Sequence, residues 1–180
     1  PLADHVDILL THYHWDHISG MPFFVPAFVP RFRIHISGPG NSPDEVRQSI
    51  GQQMKAPYFP VETETWLAEI DYMDTRQDEI SWGPITLQRF NVHHPGTTCG
   101  YRILFGGKSV VFVPDQELFF IDQTIDQRLD DADVDPDEKQ LLERMKEEER
   151  WKLLRSLMDA DVLIHDAQYT PEDYARKRGW

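Results

Sequence analysis

Residues Thr11-His12-Tyr13-His14-Trp15-Asp16-His17 constrain the chain more than any other stretch. Three imidazoles and a carboxylate fall within six positions, directly after the apolar run Val6-Asp7-Ile8-Leu9-Leu10. Imidazole and carboxylate are the side chains through which proteins bind zinc, iron and manganese. An apolar run that breaks into such a cluster predicts a buried strand, over 6–11, with a ligand loop at its end, over 12–17. Side chains alternate along an extended chain, so His12 and His14 are expected to point the same way. Asp16 and His17 follow where the chain turns and can face a second point nearby. The alternative is a set of unrelated surface histidines, or a site for one structural ion. The chain holds eight histidines, and four ligand-type residues at this spacing favour a metal centre.

The chain has 180 residues, enough for one domain with a core. Its hydrophobic fraction of 40% and aromatic fraction of 12% argue for a folded globule. The formal charge of −13 argues against a long nucleic acid as partner, because phosphate binding draws on a basic face. Cys99 is the one cysteine, so no intrachain disulfide can form, which suits a reducing, cytoplasmic setting. No apolar run approaches the ~20 residues of a membrane-spanning helix. The apolar segment Met21–Pro30 carries three prolines and cannot be one continuous helix; it reads as a packed loop or pocket wall.

Further elements follow from local signals. Ile18-Ser19-Gly20 is expected to open a short helix or turn. Arg33–Ser37 alternates as a strand and stops at Gly38-Pro39-Gly40. Ser42-Pro43-Asp44-Glu45 has the residues of a helix start, and the helix should reach about Met54. Segment 56–61, aromatic and bounded by prolines, reads as a wall or lid. Strands are expected over 68–72, 85–92, 100–105 and 109–113, with Gly106-Gly107 as a hairpin turn. The acidic stretch 122–137 reads as a solvated loop. A long helix should run from Asp135-Pro136 to about Met158, with apolar residues at Leu141, Leu142, Met145, Leu153, Leu154 and Leu157. Segment 161–165 reads as a final buried strand. This order suggests mixed sheets with helices outside, without internal repeat or linker.

Two more candidate ligands stand at strand ends. His93-His94-Pro95-Gly96 closes strand 85–92, and His94 is preferred over His93, whose alternative role is support or packing. Asp115 closes strand 109–113; a carboxylate at such a rim is costly unless it meets a cation or hydrogen bonds. Asp166 and His165 end the last strand, where Asp166 either orients a ligand histidine or caps a turn. His5 and His35 have no ligand-type neighbours in sequence and read as ordinary.

Taken together, these residues resemble the metallo-β-lactamase superfamily of hydrolases. Its His-x-His-x-Asp-His motif is met by His12, His14, Asp16 and His17, its next metal histidine by His94, and its bridging aspartate by Asp115. The resemblance implies an α/β fold, the αβ/βα sandwich of that family, over a single domain spanning 1–180. It also implies two divalent metal ions, zinc with manganese or iron as alternatives. His12, His14 and His94 would hold one ion, Asp16 and His17 the other, with Asp115 between them and Asp16 also orienting the nucleophile. The run His94-Pro95-Gly96, then Gly100-Tyr101-Arg102-Ile103, then Asp115-Gln116-Glu117 is similar to the phosphodiesterase branch, which includes tRNA 3′-processing ribonucleases and cyclic-nucleotide phosphodiesterases. The expected substrate is a small phosphodiester. An ester, lactone or sulfate-ester hydrolase, or a domain that binds without catalysis, are the other readings; a homodimer is compatible with all of them. The family's upstream strands and its final Gly-His-Ser type motif have no match here, so the sequence reads as part of a longer domain. Phe23, Phe24, Phe28, Tyr58 and Phe59 could stack on a base or serve as core.

Overall fold

A computed structural model describes residues 4–76, 79–117, 125–131, 133–174 and 176–177. They divide into two compact units, Pro1–Asp78 and Glu79–Trp180.

The first unit is built on a parallel three-stranded sheet, in the order β1 (His5–Leu9), β2 (Arg33–Gly38), β3 (Glu69–Asp74). Alternation along β2 decides its two faces. Ile34 and Ile36 are fully buried, with Val6 and Ile8 opposite on β1 and Ile70 and Tyr72 opposite on β3. Helix α2 (Pro43–Gln53) adds Val46 and Ile50, four residues apart on one face, to the same core. Its start is as the sequence predicts. The Ser42 hydroxyl accepts from the Glu45 N–H at 3.2 Å, and the Glu45 carboxylate accepts from the Asn41 N–H at 2.7 Å.

Between β1 and β2 the short helix α1 (Trp15–Ile18) begins earlier than the Ile18 start expected, and so carries Asp16 and His17 itself. The proline-broken segment folds as two 3₁₀ turns, Met21–Phe23 and Val25–Phe28, each with proline in its first positions. Phe24, Phe28 and Phe59 pack against the core, whereas Phe23 and Tyr58 are exposed.

The second unit is a five-stranded sheet in the order β4 (Glu79–Trp82), β5 (Ile85–Asn91), β6 (Cys99–Phe105), β7 (Lys108–Val113), β8 (Val162–His165). The first four strands are antiparallel, and β8 adds parallel to β7. The β6–β7 hairpin turns on Gly106 and Gly107, with φ of +58° and +75°, the pair of left-handed residues that a type I′ turn needs. β4 has no counterpart among the expected strands.

Two expectations need correction. The acid-rich stretch is not simply a solvated loop. Residues 125–129 form a helical turn, α3, and Arg128 gathers the acids around it. Its guanidinium donates to Glu138 at 2.8 and 3.1 Å, to Asp133 at 2.8 Å and to Asp131 at 3.0 Å. Residues 118–124 lie outside the described residues. Second, β8 is not buried: all four of its residues are exposed. It is the edge strand of its sheet, and an apolar run by itself does not tell a central strand from an edge.

Helix α4 (Pro136–Leu157) starts at Asp135, whose carboxylate accepts from the Glu138 N–H at 2.8 Å. Of its expected apolar stripe, Leu153 is buried against Val92, Val111 and Val113, while Leu141, Met145 and Leu154 are exposed. Arg102 of β6 serves the carbonyls left over at the other end. It donates to the carbonyls of Ser156 (3.3 Å), Met158 (2.7 Å) and Asp159 (3.2 Å). Beside them the Asp161 carboxylate accepts from Lys108 Nζ at 2.6 Å and the Ser109 N–H at 2.8 Å, and the lysine holds the Asp161 carboxyl below its usual range.

Gly100 is where the sheet has no room for a side chain. A Cβ there would overlap the Phe90 ring and come within 2.9 Å of the Phe112 carbonyl oxygen. A backbone oxygen in a ladder cannot rotate away. Gly100→Ala should therefore lower stability by about 1–3 kcal/mol, read as a lower urea midpoint; an unchanged midpoint would show that the sheet opens at no cost.

Candidate metal centre

In the first unit the sheet itself delivers the ligand loop. The Leu10 N–H donates to the Ser37 carbonyl at 2.8 Å, extending the β1–β2 ladder one residue beyond β1. The chain then leaves the sheet as Thr11-His12-Tyr13. His12 is buried, and Thr11 Oγ1 lies 3.1 Å from its Nδ1. His14 takes the cap position of α1 in an extended conformation, and its carbonyl accepts from the His17 N–H at 3.0 Å. The single turn that follows brings His17 back towards His12. The His12 ring centroid lies 4.6 Å from that of His14 and 4.1 Å from that of His17. His17 Nε2 is 3.3 Å from the Asp16 carboxylate, which is otherwise exposed. Ile18, buried in the core, anchors the turn. All four residues of the motif are thus assembled at one strand end, with His12 in the middle.

Tyr13, between the first two histidines, rests on Gly38. A Cβ at Gly38 would come within 2.5 Å of the Tyr13 hydroxyl. The glycine that stops β2 is therefore also the floor under the ligand loop.

In the second unit the loop after β5 is tied to the loop after β7. The His93 N–H donates to Gln116 Oε1 at 3.1 Å, and the Glu117 N–H donates to the His93 carbonyl at 2.5 Å. These bonds set the two candidate histidines apart. His94 is buried, with Nε2 3.6 Å from the Asp115 carboxylate and Nδ1 3.3 Å from Glu117 Oε1. His93 instead reaches towards Glu149, at 3.8 Å. Glu117 is itself buried, and its second oxygen accepts from the Tyr174 hydroxyl at 2.7 Å.

Glu117 was not foreseen from the sequence. A carboxylate against the far nitrogen of a ligand histidine fixes the ring's tautomer and raises its basicity; for Asp166 the sequence leaves that role and a turn cap as alternatives. Asp166 and His165 make local contacts: Asp166 accepts from the Gln168 N–H at 3.1 Å, and His165 Nδ1 lies 2.6 Å from the Asp166 carbonyl. Asp166 thus caps the turn after β8. The signal for Glu117 lies in its place, two residues beyond Asp115 on a chain leaving a buried strand.

A family model described as the metallo-beta-lactamase superfamily matches residues 2–154. Among solved structures, human tRNase Z, short form, is 15% identical over 94% of this chain and 61% of that one, with a TM-score of 0.54. Zn(2+)-bound PqqB from Methylobacterium extorquens is 15% identical over 97% and 50%, with a TM-score of 0.48. The metallo-beta-lactamase fold protein YhfI from Bacillus subtilis is 23% identical over 61% and 40%, with a TM-score of 0.43. The chain thus spans 40% to 61% of the length of these relatives. No curated protein matches it significantly in sequence.

Glu117→Gln keeps the size of the side chain and removes its charge from His94. We expect metal affinity to fall about 10–100-fold, measured by competition with a chelating dye. Equal affinity in the two proteins would leave Glu117 as a packing residue.

Proposed function

We propose, since this chain belongs to the metallo-beta-lactamase superfamily, that it carries the metal-binding part of a phosphodiesterase acting on a small substrate such as a cyclic nucleotide. One observation carries the reading. The residues that meet the family's motif in sequence are also the ones whose ring nitrogens and carboxylates are gathered at strand ends within each unit.

The donor set fits divalent zinc, with manganese or iron as alternatives. His12, His14 and His94 are assigned to one ion and Asp16 and His17 to a second, with Asp115 shared. The side chains around them support this assignment. Thr11 occupies Nδ1 of His12, which gives Nε2 to ligation. Glu117 faces Nδ1 of His94, and its Nε2 is the nitrogen turned to Asp115. In His12 and His94 the nitrogen not assigned to a ligand bond thus lies beside a side-chain oxygen. When bound, such a pair of cations acidifies water and offsets the charge that develops on phosphoryl oxygens. Asp16, exposed beside His17, would also orient the attacking water.

A net charge of −13 disfavours a long polyanion. Arg102, the arginine in the run shared with the phosphodiesterase branch, has its guanidinium on three carbonyls at the end of α4. Its guanidinium thereby holds the end of α4.

Hydrolysis of bis(p-nitrophenyl) phosphate, with and without zinc or manganese and with metal counted on the same sample, tests the proposal. The expected result is metal-dependent turnover, lowered ~10²–10³-fold in His12→Ala and Asp115→Ala. Full turnover in either variant would overturn the donor assignment. Turnover confined to lactones or aryl sulfates would move the chain to another reaction class, and saturable nucleotide binding without metal would make it a binding domain.

A further inference from the structure

We propose that His5, Asp7 and His35 form a divalent-metal site of their own on the polar face of the first unit's sheet, with Asp71 orienting His35. In sequence His5 and His35 read as ordinary; the parallel register makes them neighbours. Asp7 stands opposite His35, and His35 opposite Asp71, in one row across the three strands. His5 lies one pleat away on the same face, its ring edge-on to His35 with centroids 4.6 Å apart. The opposite face carries Val6, Ile8, Ile34, Ile36 and Ile70, so this row is the side of the sheet turned away from that unit's core.

The spacing of the three residues is compatible with a shared cation as well as with hydrogen-bonded pairs. Asp7 Oδ2 is 3.1 Å from His5 Nε2, and Asp7 Oδ1 is 3.2 Å from His35 Nδ1. One donor atom from each of the three residues lies within 4.8 Å of the others. A tetrahedral ion with bonds of about 2.0–2.1 Å sets its donors about 3.4 Å apart, which small torsions supply here. His35 Nε2 lies 3.3 Å from the Asp71 carboxylate. A neutral imidazole carries one N–H and can donate to one of the two carboxylates that flank it. If that proton faces Asp71, the lone pair on Nδ1 faces an oxygen of Asp7, and a cation could sit between them. A proton there would serve His35 and Asp7. A metal ion serves His35, Asp7 and His5 together and makes Asp71–His35 the carboxylate–histidine pair that commonly backs a metal ligand. Arg33, opposite His5 in the row above, donates to Glu69 at 2.8 Å. Two imidazoles and one carboxylate select zinc, copper or nickel over magnesium or calcium.

Histidine ring ¹H–¹⁵N spectra of the chelator-treated chain, recorded during a zinc titration at neutral pH, test the site without reference to hydrolysis. We expect saturable shifts of the His5 and His35 rings, one fewer bound zinc in His5→Ala/His35→Ala, and about 10–100-fold weaker binding at these rings in Asp71→Asn. Rings that ignore zinc and respond to acid alone would overturn the proposal in favour of a proton bridge, as would an unchanged zinc count in the double variant. Should the double variant fail to fold, the ring spectra of the unsubstituted chain and of Asp71→Asn decide the question.

Discussion

An imidazole removed from water needs a partner at each ring nitrogen, and that requirement organises the strand ends of both units. At Nδ1 of His12 that partner is Thr11, and the ring lies against those of His14 and His17. His94 has carboxylates on both sides of its ring, Glu117 at 3.3 Å from Nδ1 and Asp115 at 3.6 Å from Nε2. Neither arrangement would persist on a loose loop. In the first unit the β1–β2 ladder runs one residue past β1 before the histidines begin. In the second, two hydrogen bonds lace the His93-His94 loop to the chain leaving β7. The apolar sheets supply rigidity, and the polar strand ends use it.

Much of this is visible in the residues themselves, where the signal is local. The Ser42 cap, the Gly106-Gly107 hairpin and the alternation of Arg33–Ser37 each act within a few positions, and each appears as an element close to the bounds expected. The motif His12-x-His14-x-Asp16-His17 is equally compact. What escaped depends on contacts between distant residues. β4 is four residues long and gains its strand character from pairing with β5. β8 has the composition of a core strand and the position of an edge strand. Glu117 looks like any loop acid until its loop is folded against His94. His5 and His35 become neighbours through the register of a parallel sheet, which no pattern along either strand encodes.

The acids of this chain show the same division between composition and placement. Their excess reads as a solvated surface, and along most of α4 it is one. Around Arg128 the same residue types close on a single guanidinium and join α3 to the start of α4, with Lys146 on Asp126 as a further tie. A charge count is blind to this difference, because it depends on which acids come within reach of one arginine.

The parallel sheet of the first unit also has a kinetic side. β6 and β7 meet across two glycines, whereas residues 10–32 separate β1 from β2. Loop closure costs on the order of (3/2)RT ln n, so pairing β1 with β2 demands about 2 kcal/mol more chain entropy than closing the hairpin. The loop that has to be closed is the one that bears His12, His14, Asp16 and His17. Cations held by those side chains, two residues to each ion, would shorten the free length of chain to be closed, so that ligation and sheet assembly in this unit would be coupled.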